Sequence, residues 1–239
     1  MRIARVETDD GIVTGEYDDG MVEAETGTYT VGEDATLRAP TEPSSFFCVG
    51  RNYAAYNEAT GHEEQDFIHW FLKPPIALHD PETPIPYPSF TEEFGCAGEL
   101  AAVIDAPCKD VSAAEAPDYV RGFTIMNDLD AEDQPEISSR KAFDHAAPLG
   151  PWIETDVDPT GLDMRTTING EIGQEANTDQ MIWGPWEIIA ELSRYVTLRP
   201  GDVVAYGGPD SPDPLEPGDE IEMWYEDIGT LRNTVGPRE

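Results

Sequence analysis

Two stretches, Glu99-Leu-Ala-Ala-Val-Ile104 and Gly122-Phe-Thr-Ile-Met-Asn-Asp128, decide the fold. Each is a short apolar run, too brief for an ordinary helix and rich in residues that suit a buried sheet, so both are expected to be strands. Working outward, Phe46-Phe-Cys-Val49 reads as another strand closing at Gly50. Arg199-Pro-Gly-Asp-Val-Val204 and Glu216-Pro-Gly-Asp-Glu-Ile221 each place a tight turn ahead of a strand. Asn169-Gly170 is a hairpin signal. Towards the N-terminus, Ile3 to Glu7 alternates in polarity, and Asp9-Asp10-Gly11 and Asp18-Asp19-Gly20 punctuate further short strands. Prolines in 81–88 confine that segment to a loop or a sheet edge. Helix signals are few. Pro185 opens a periodic run through Trp186, Ile189, Leu192 and Tyr195, Ser112 to Glu115 forms a capping box, and Asn52 is placed to cap a short helix carrying Tyr53 and Tyr56. The expected class is α+β and β-dominated, with a small N-terminal β domain over 1–44, a linker at Pro40-Thr-Glu-Pro43, and a larger domain over 45–239.

Charge sets the surroundings. Against 14 Lys+Arg stand 49 Asp+Glu, a formal net charge of -35 spread along all 239 residues. Such a surface repels phosphates, which excludes nucleic acid and anionic membranes as default partners. Only Lys73, Lys109 and Lys141 are lysines. Acid enrichment with lysine depletion points to a salt-rich cytoplasm, because molar salt shortens the Debye length to ~3 Å and screens self-repulsion. Cys48, Cys96 and Cys108 have no CxxC spacing and read as small buried hydrophobes. With no signal-peptide core and no apolar run long enough to span a bilayer, a soluble intracellular protein is expected.

Ten segments in order, among them Val49-Gly-Arg-Asn-Tyr53, Phe71-Leu-Lys-Pro74, the two strands quoted first, Lys141-Ala-Phe-Asp144, Pro148-Leu-Gly-Pro-Trp152 and Gly229-Thr-Leu-Arg-Asn233, carry a resemblance to the fumarylacetoacetate hydrolase family over roughly residues 46–235. The likeness is to its acylpyruvase and 2-hydroxyhepta-2,4-diene-1,7-dioate isomerase type. It implies a mixed β-sandwich roll, a homodimer, and Mg²⁺ or Mn²⁺ acting on a small 2-oxo or β-diketo acid by hydrolysis, decarboxylation or tautomerisation through an enolate. A divalent cation suits that chemistry by stabilising the enolate oxygens, and hard cations take carboxylate ligands. The resemblance places metal ligands at Glu99 and Asp128, substrate contacts at Arg51 and Tyr53, and a catalytic lysine at Lys141, while His145, four residues on where the family has a small hydroxyl residue, is a further catalytic candidate as a new base near the metal.

The chain also departs from the family pattern. A first metal-binding Glu is replaced by Ala97, and histidines just before it by Gly95 and Cys96. The water-activating His and Glu of hydrolytic members become Tyr56 and Ala59, with Glu58, His62 and Glu63 nearby. An anion-holding Arg becomes Glu132, and a hydroxyl residue becomes Gly208. These changes fall in the site while the scaffold motifs stay. They leave two readings: a divergent metal-assisted enzyme that needs no activated water, favoured by Glu99, Asp128 and Lys141, or a lapsed member serving as a binding or partner subunit, paired with itself or with a paralogue.

Overall fold

The computed structural model describes residues 1–63, 65–212 and 214–238. Five strands open the chain: β1 (Arg2–Thr8), β2 (Gly11–Asp18), β3 (Met21–Ala24), β4 (Gly27–Thr30) and β5 (Thr36–Arg38). β6 (Phe46–Gly50), α1 (Ala54–Thr60), β7 (His69–Lys73), β8 (Leu78–His79), β9 (Pro84–Tyr87), β10 (Phe94–Gly95) and β11 (Gly98–Ile104) follow. Next come β12 (Val120–Asn127), β13 (Asp130–Ala131), α2 (Ile137–Lys141) and β14 (Ala147–Glu154). The hairpin of β15 (Asp163–Ile168) and β16 (Glu171–Asn177) precedes α3 (Pro185–Tyr195), β17 (Val203–Ala205), β18 (Glu220–Tyr225) and β19 (Gly229–Arg238).

The large sheet runs β4-β3-β2-β1-β14-β12-β11-β17-β6-β7, and a second sheet runs β16-β15-β18-β19-β9. As expected of its prolines, β9 lies at a sheet edge. The seven residues of β11 are all buried, so both faces of this strand are covered. Leu100, Ala102 and Ile104 pack with Met164, Ile221, Met223 and Tyr225 of the second sheet and with Ile188, Ile189 and Leu192 of α3. Ala101 and Val103 face the other way, onto Phe46, Cys48, Met126, Leu149 and Ile153. That second cluster comes mostly from strands of the large sheet itself, so the sheet curls around it. Period-two alternation thus sorts one strand between two cores. All three cysteines are free and buried.

Residues 1–44 hold their own apolar cluster of Ala4, Val6, Val22, Ala35 and Leu37. They also join the large sheet, because β1 pairs with β14 at Arg2↔Glu154 and Ile3↔Ile153. Among the described residues, no helix is long and apolar enough to cross a membrane.

Three local expectations change. Helix α1 begins at Ala54 with Tyr53 at its N-cap, and Tyr53 makes no side-chain cap bond. Asn52 does not cap it. Its amide instead donates to Trp183 O at 3.1 Å and Tyr206 O at 2.9 Å and accepts from Trp183 N–H at 2.9 Å, tying the Arg51 loop to the segment before α3. Only half of the Ser112–Glu115 box forms, Glu115 Oε2 accepting from Ser112 N–H at 2.9 Å, and the segment leads into a 3-10 turn over Ala116–Tyr119. On α3 the buried stripe is Pro185, Ile188, Ile189, Leu192 and Ser193, and Tyr195 is exposed.

Candidate active site

The β11–β12 ladder builds the site. Gly98 pairs with Asn127 and Glu99 with Met126, and Asp128 N–H then bonds Ala97 O at 2.8 Å. Position 97 is therefore directly across from Asp128, and Glu99 is its diagonal neighbour on the same face. Glu99 and Asp128 are both buried. They line a cavity of about 150 Å³ together with Arg51, Tyr56, His62, His69, Phe71, Glu132, Arg140 and Lys141.

Charges on its floor alternate. Lys73 Nζ lies 2.7 Å from Asp128 Oδ1, and Lys141 Nζ lies 2.6 Å from Oδ2. Lys141 also reaches Asp130 Oδ2 at 3.1 Å, and Arg140 forks onto Asp130, with Nε 2.8 Å from Oδ1. Strand β7 delivers Lys73 and helix α2 delivers both Arg140 and Lys141. Burial works to raise the Asp128 carboxyl, but Lys141 and Lys73 outweigh it, so Asp128 is held below its ordinary value. Glu99 fares differently. Burial first, and then the Asp128 charge, push its carboxyl well above the usual range, although Gly207 N–H donates to Oε2 at 3.0 Å. Lys141 is raised because Asp128 and Asp130 outweigh the cost of its burial, so it is an ammonium at neutral pH.

His69 also lines the cavity, and its Nδ1 is buried without a hydrogen-bond partner. Burial, then Arg51 and His62, lower its pKa, so at pH 7 it is a neutral imidazole able to take a proton. Sequence reasoning missed both His69 and Lys73. The signal was there: residues 69, 71 and 73 share one face of β7 by alternation, and two of the three line the cavity while Lys73 grips Asp128.

Of the residues singled out from sequence, the fold brings Arg51, Glu99, Asp128 and Lys141 to one cavity. Tyr53 lies outside the lining, buried with its hydroxyl unpartnered. His145 lies outside it too, its Nδ1 3.1 Å from His79 Nδ1. His62 does reach the lining, as does Tyr56, whereas Ala59 does not.

For a metal, the donors are two carboxylates. Among the described residues no group of three or more His, Cys, Asp or Glu side chains converges on a metal-sized position. Glu99 is a buried acid with no ion pair among the described residues, facing a second carboxylate. Two hard oxygen donors fit a divalent cation that keeps its waters and takes further oxygens from a substrate, as Mg²⁺ does.

A sequence profile described as "Fumarylacetoacetate (FAA) hydrolase C-terminal" matches residues 45–236. The chain belongs to this family. The 5-carboxymethyl-2-hydroxymuconate delta-isomerase of Mycobacterium smegmatis is 36% identical, with a TM-score of 0.90 covering 100% of this chain and 99% of that one. The 2-hydroxyhepta-2,4-diene-1,7-dioate isomerase of Mycobacterium marinum is 37% identical, with a TM-score of 0.86 over 99% and 98% of the two chains. The maleylpyruvate hydrolase of Sphingobium sp. SYK-6, solved with manganese(II) and pyruvate, is 26% identical, with a TM-score of 0.86 over 100% of both. The strand-dominated, multi-sheet fold agrees with these neighbours.

Proposed function

We propose that the chain isomerises a small 2-oxo acid through its enolate, with Glu99 and Asp128 holding Mg²⁺ or Mn²⁺. The observation that carries this reading is one cavity with a neutral imidazole, His69, and a buried ammonium, Lys141. Moving a proton between carbons needs a group that takes it and returns it, and a charge to meet the oxygen that turns anionic. His69 takes the proton beside the keto group: the C–H bond breaks, an N–H bond forms, and the electron pair moves onto the carbonyl oxygen. Lys141, whose ammonium has a third N–H beyond the two facing Asp128 and Asp130, meets that oxygen, and His69 then returns the proton further along the conjugated chain. What bound Mg²⁺ or Mn²⁺ supplies at Glu99 and Asp128 is further positive charge towards the same oxygens. The isomerases among the neighbours and the manganese in the hydrolase support the reading. Hydrolysis is disfavoured by Tyr56 and Ala59, neither of which activates water at neutral pH.

The test is proton NMR of 2-oxo acids in D₂O with Mg²⁺. The expected result is enzyme-dependent loss of the protons beside the keto group, abolished by chelator and reduced about 100-fold or more in His69→Asn. Carbon–carbon cleavage of an acylpyruvate without such exchange overturns the isomerase reading. No exchange, no cleavage and no metal uptake would instead support the partner-subunit alternative.

A further inference from the structure

The cavity's cations are mostly spoken for. Arg140 and Lys141 are committed to Asp130 and Asp128, and Arg51 is the lining arginine or lysine with no ion pair among the described residues. Its uncommitted positive charge is enough for one carboxylate. Opposing it is Glu132, which lines the same cavity with neither an ion pair nor a side-chain hydrogen bond among the described residues.

Glu132 is held in a built position. β10 pairs with β13 at Phe94↔Ala131 and Gly95↔Asp130, and Glu132 N–H bonds Glu93 O at 2.8 Å. Its side chain lies so close over Gly95 that a Cβ there would stand 2.9 Å from Glu132 Cδ and closer still to Oε1. Glycine at 95 makes the room that Glu132 fills. The two departures from the family pattern, Gly95 and Glu132, are thus in direct contact.

Resting on the reading of this cavity as a 2-oxo-acid site, we propose that Glu132 sets its substrate class: a 2-oxo acid with a single carboxylate whose distal end carries a hydrogen-bond donor, hydroxyl or ammonium. A second carboxylate at that end would meet Glu132, which has no ion pair among the described residues, as a like charge in a partly desolvated cavity. A donor group would give Glu132 the partner it lacks, a charge-assisted bond.

Stable N-substituted oxamates carry the 2-oxo-acid head and vary only the tail. Calorimetry with Mg²⁺ in concentrated KCl would compare oxamate itself with its N-hydroxyethyl, N-aminoethyl and N-carboxymethyl forms. The hydroxyethyl and aminoethyl forms are expected to bind about ten- to hundredfold more tightly than the carboxymethyl form. Glu132→Arg is expected to reverse that order. Glu132→Gln, close in shape, keeps an acceptor, so the hydroxyethyl form should still bind while the aminoethyl advantage disappears. A wild-type preference for the carboxymethyl form, equal binding of all tails, or an order unchanged in both variants overturns the role of Glu132 while leaving the 2-oxo-acid site standing. Failure of every oxamate to bind, the unsubstituted one included, overturns both.

Discussion

Lys73 is 1% exposed, and its ammonium meets three acceptors: Asp128 Oδ1 at 2.7 Å, Leu129 O at 2.8 Å and Ala146 O at 2.7 Å. The two carbonyls accept its hydrogen bonds, and Asp128 offsets its charge as an ion pair. Removing that charge strands the rest, so Lys73→Met is expected to destabilise by about 3–5 kcal/mol, the usual cost of breaking one side of a buried pair. Urea unfolding of Lys73→Met, Asp128→Asn and the double variant would show the double to be less damaged than the two single losses added together. His69 makes a kinetic prediction. Its pKa lies below the ordinary 6.5, so proton-exchange activity should persist at pH 6.5 and fall only at lower pH, as the imidazole becomes charged and can no longer accept a proton. In His69→Asn that acid limb should be absent from whatever rate remains.

Among the elements, the join of β1 to β14 gives a prediction with a definite sign. Glu154 Oε1 accepts from the N-terminal ammonium at 2.7 Å, and Arg2 stands 3.4 Å from Oε2. Burial opposes ionisation of Glu154, but these partners and the Asp156 N–H outweigh it, so its folded pKa is depressed. A depressed carboxyl contributes stability above its unfolded pKa and loses it as pH falls through the folded value. Glu154→Gln should therefore cost about 1 kcal/mol at pH 7, discounted for solvent screening, with the gap to wild type closing on acidification. Thermal melts across that range would check it. The elements themselves were largely legible. Short apolar runs gave β6, β11 and β12, the two Pro-Gly-Asp turns led into β17 and β18, and Asn169-Gly170 made the β15–β16 hairpin, because local turn chemistry and period-two burial decide these segments. The same register put Glu99 beside Asp128. What local pattern could not supply was contact across the sequence. That Asn52 bonds to Trp183 and Tyr206, that Lys73 lies under Asp128, and that His145 turns to His79 all depend on chain packing from far away. Ala97 and Gly208 show the same limit: they look like separate losses, yet a Cβ on Gly208 would stand 3.0 Å from Ala97 Cβ, so the two positions share one space.

At the scale of the whole molecule, the three lysines of the chain are all specifically engaged. Lys73 and Lys141 hold the site, and Lys109 donates to Ser193 O and Arg194 O at the end of α3, where a cation meets the negative end of the helix. Lysine survives where a point charge has a partner and is nearly absent from the remaining surface, which leaves the net charge at -35. Such a surface pushes the folded chain towards expansion, and it also repels any anion that approaches the cavity. Both effects are Coulombic, so both should weaken as the Debye length contracts from ~10 Å at 0.1 M to ~3 Å at 1 M salt. The melting temperature is therefore expected to climb between dilute and molar KCl, and the apparent KM for an anionic substrate to fall over the same range. An uncharged osmolyte stabilises by exclusion from the surface without screening charge, so it should raise the melting temperature and leave the KM unchanged. A melting temperature and KM both flat in KCl would mean that the acidic surface imposes no repulsion for salt to relieve, and salt adaptation would fall with it.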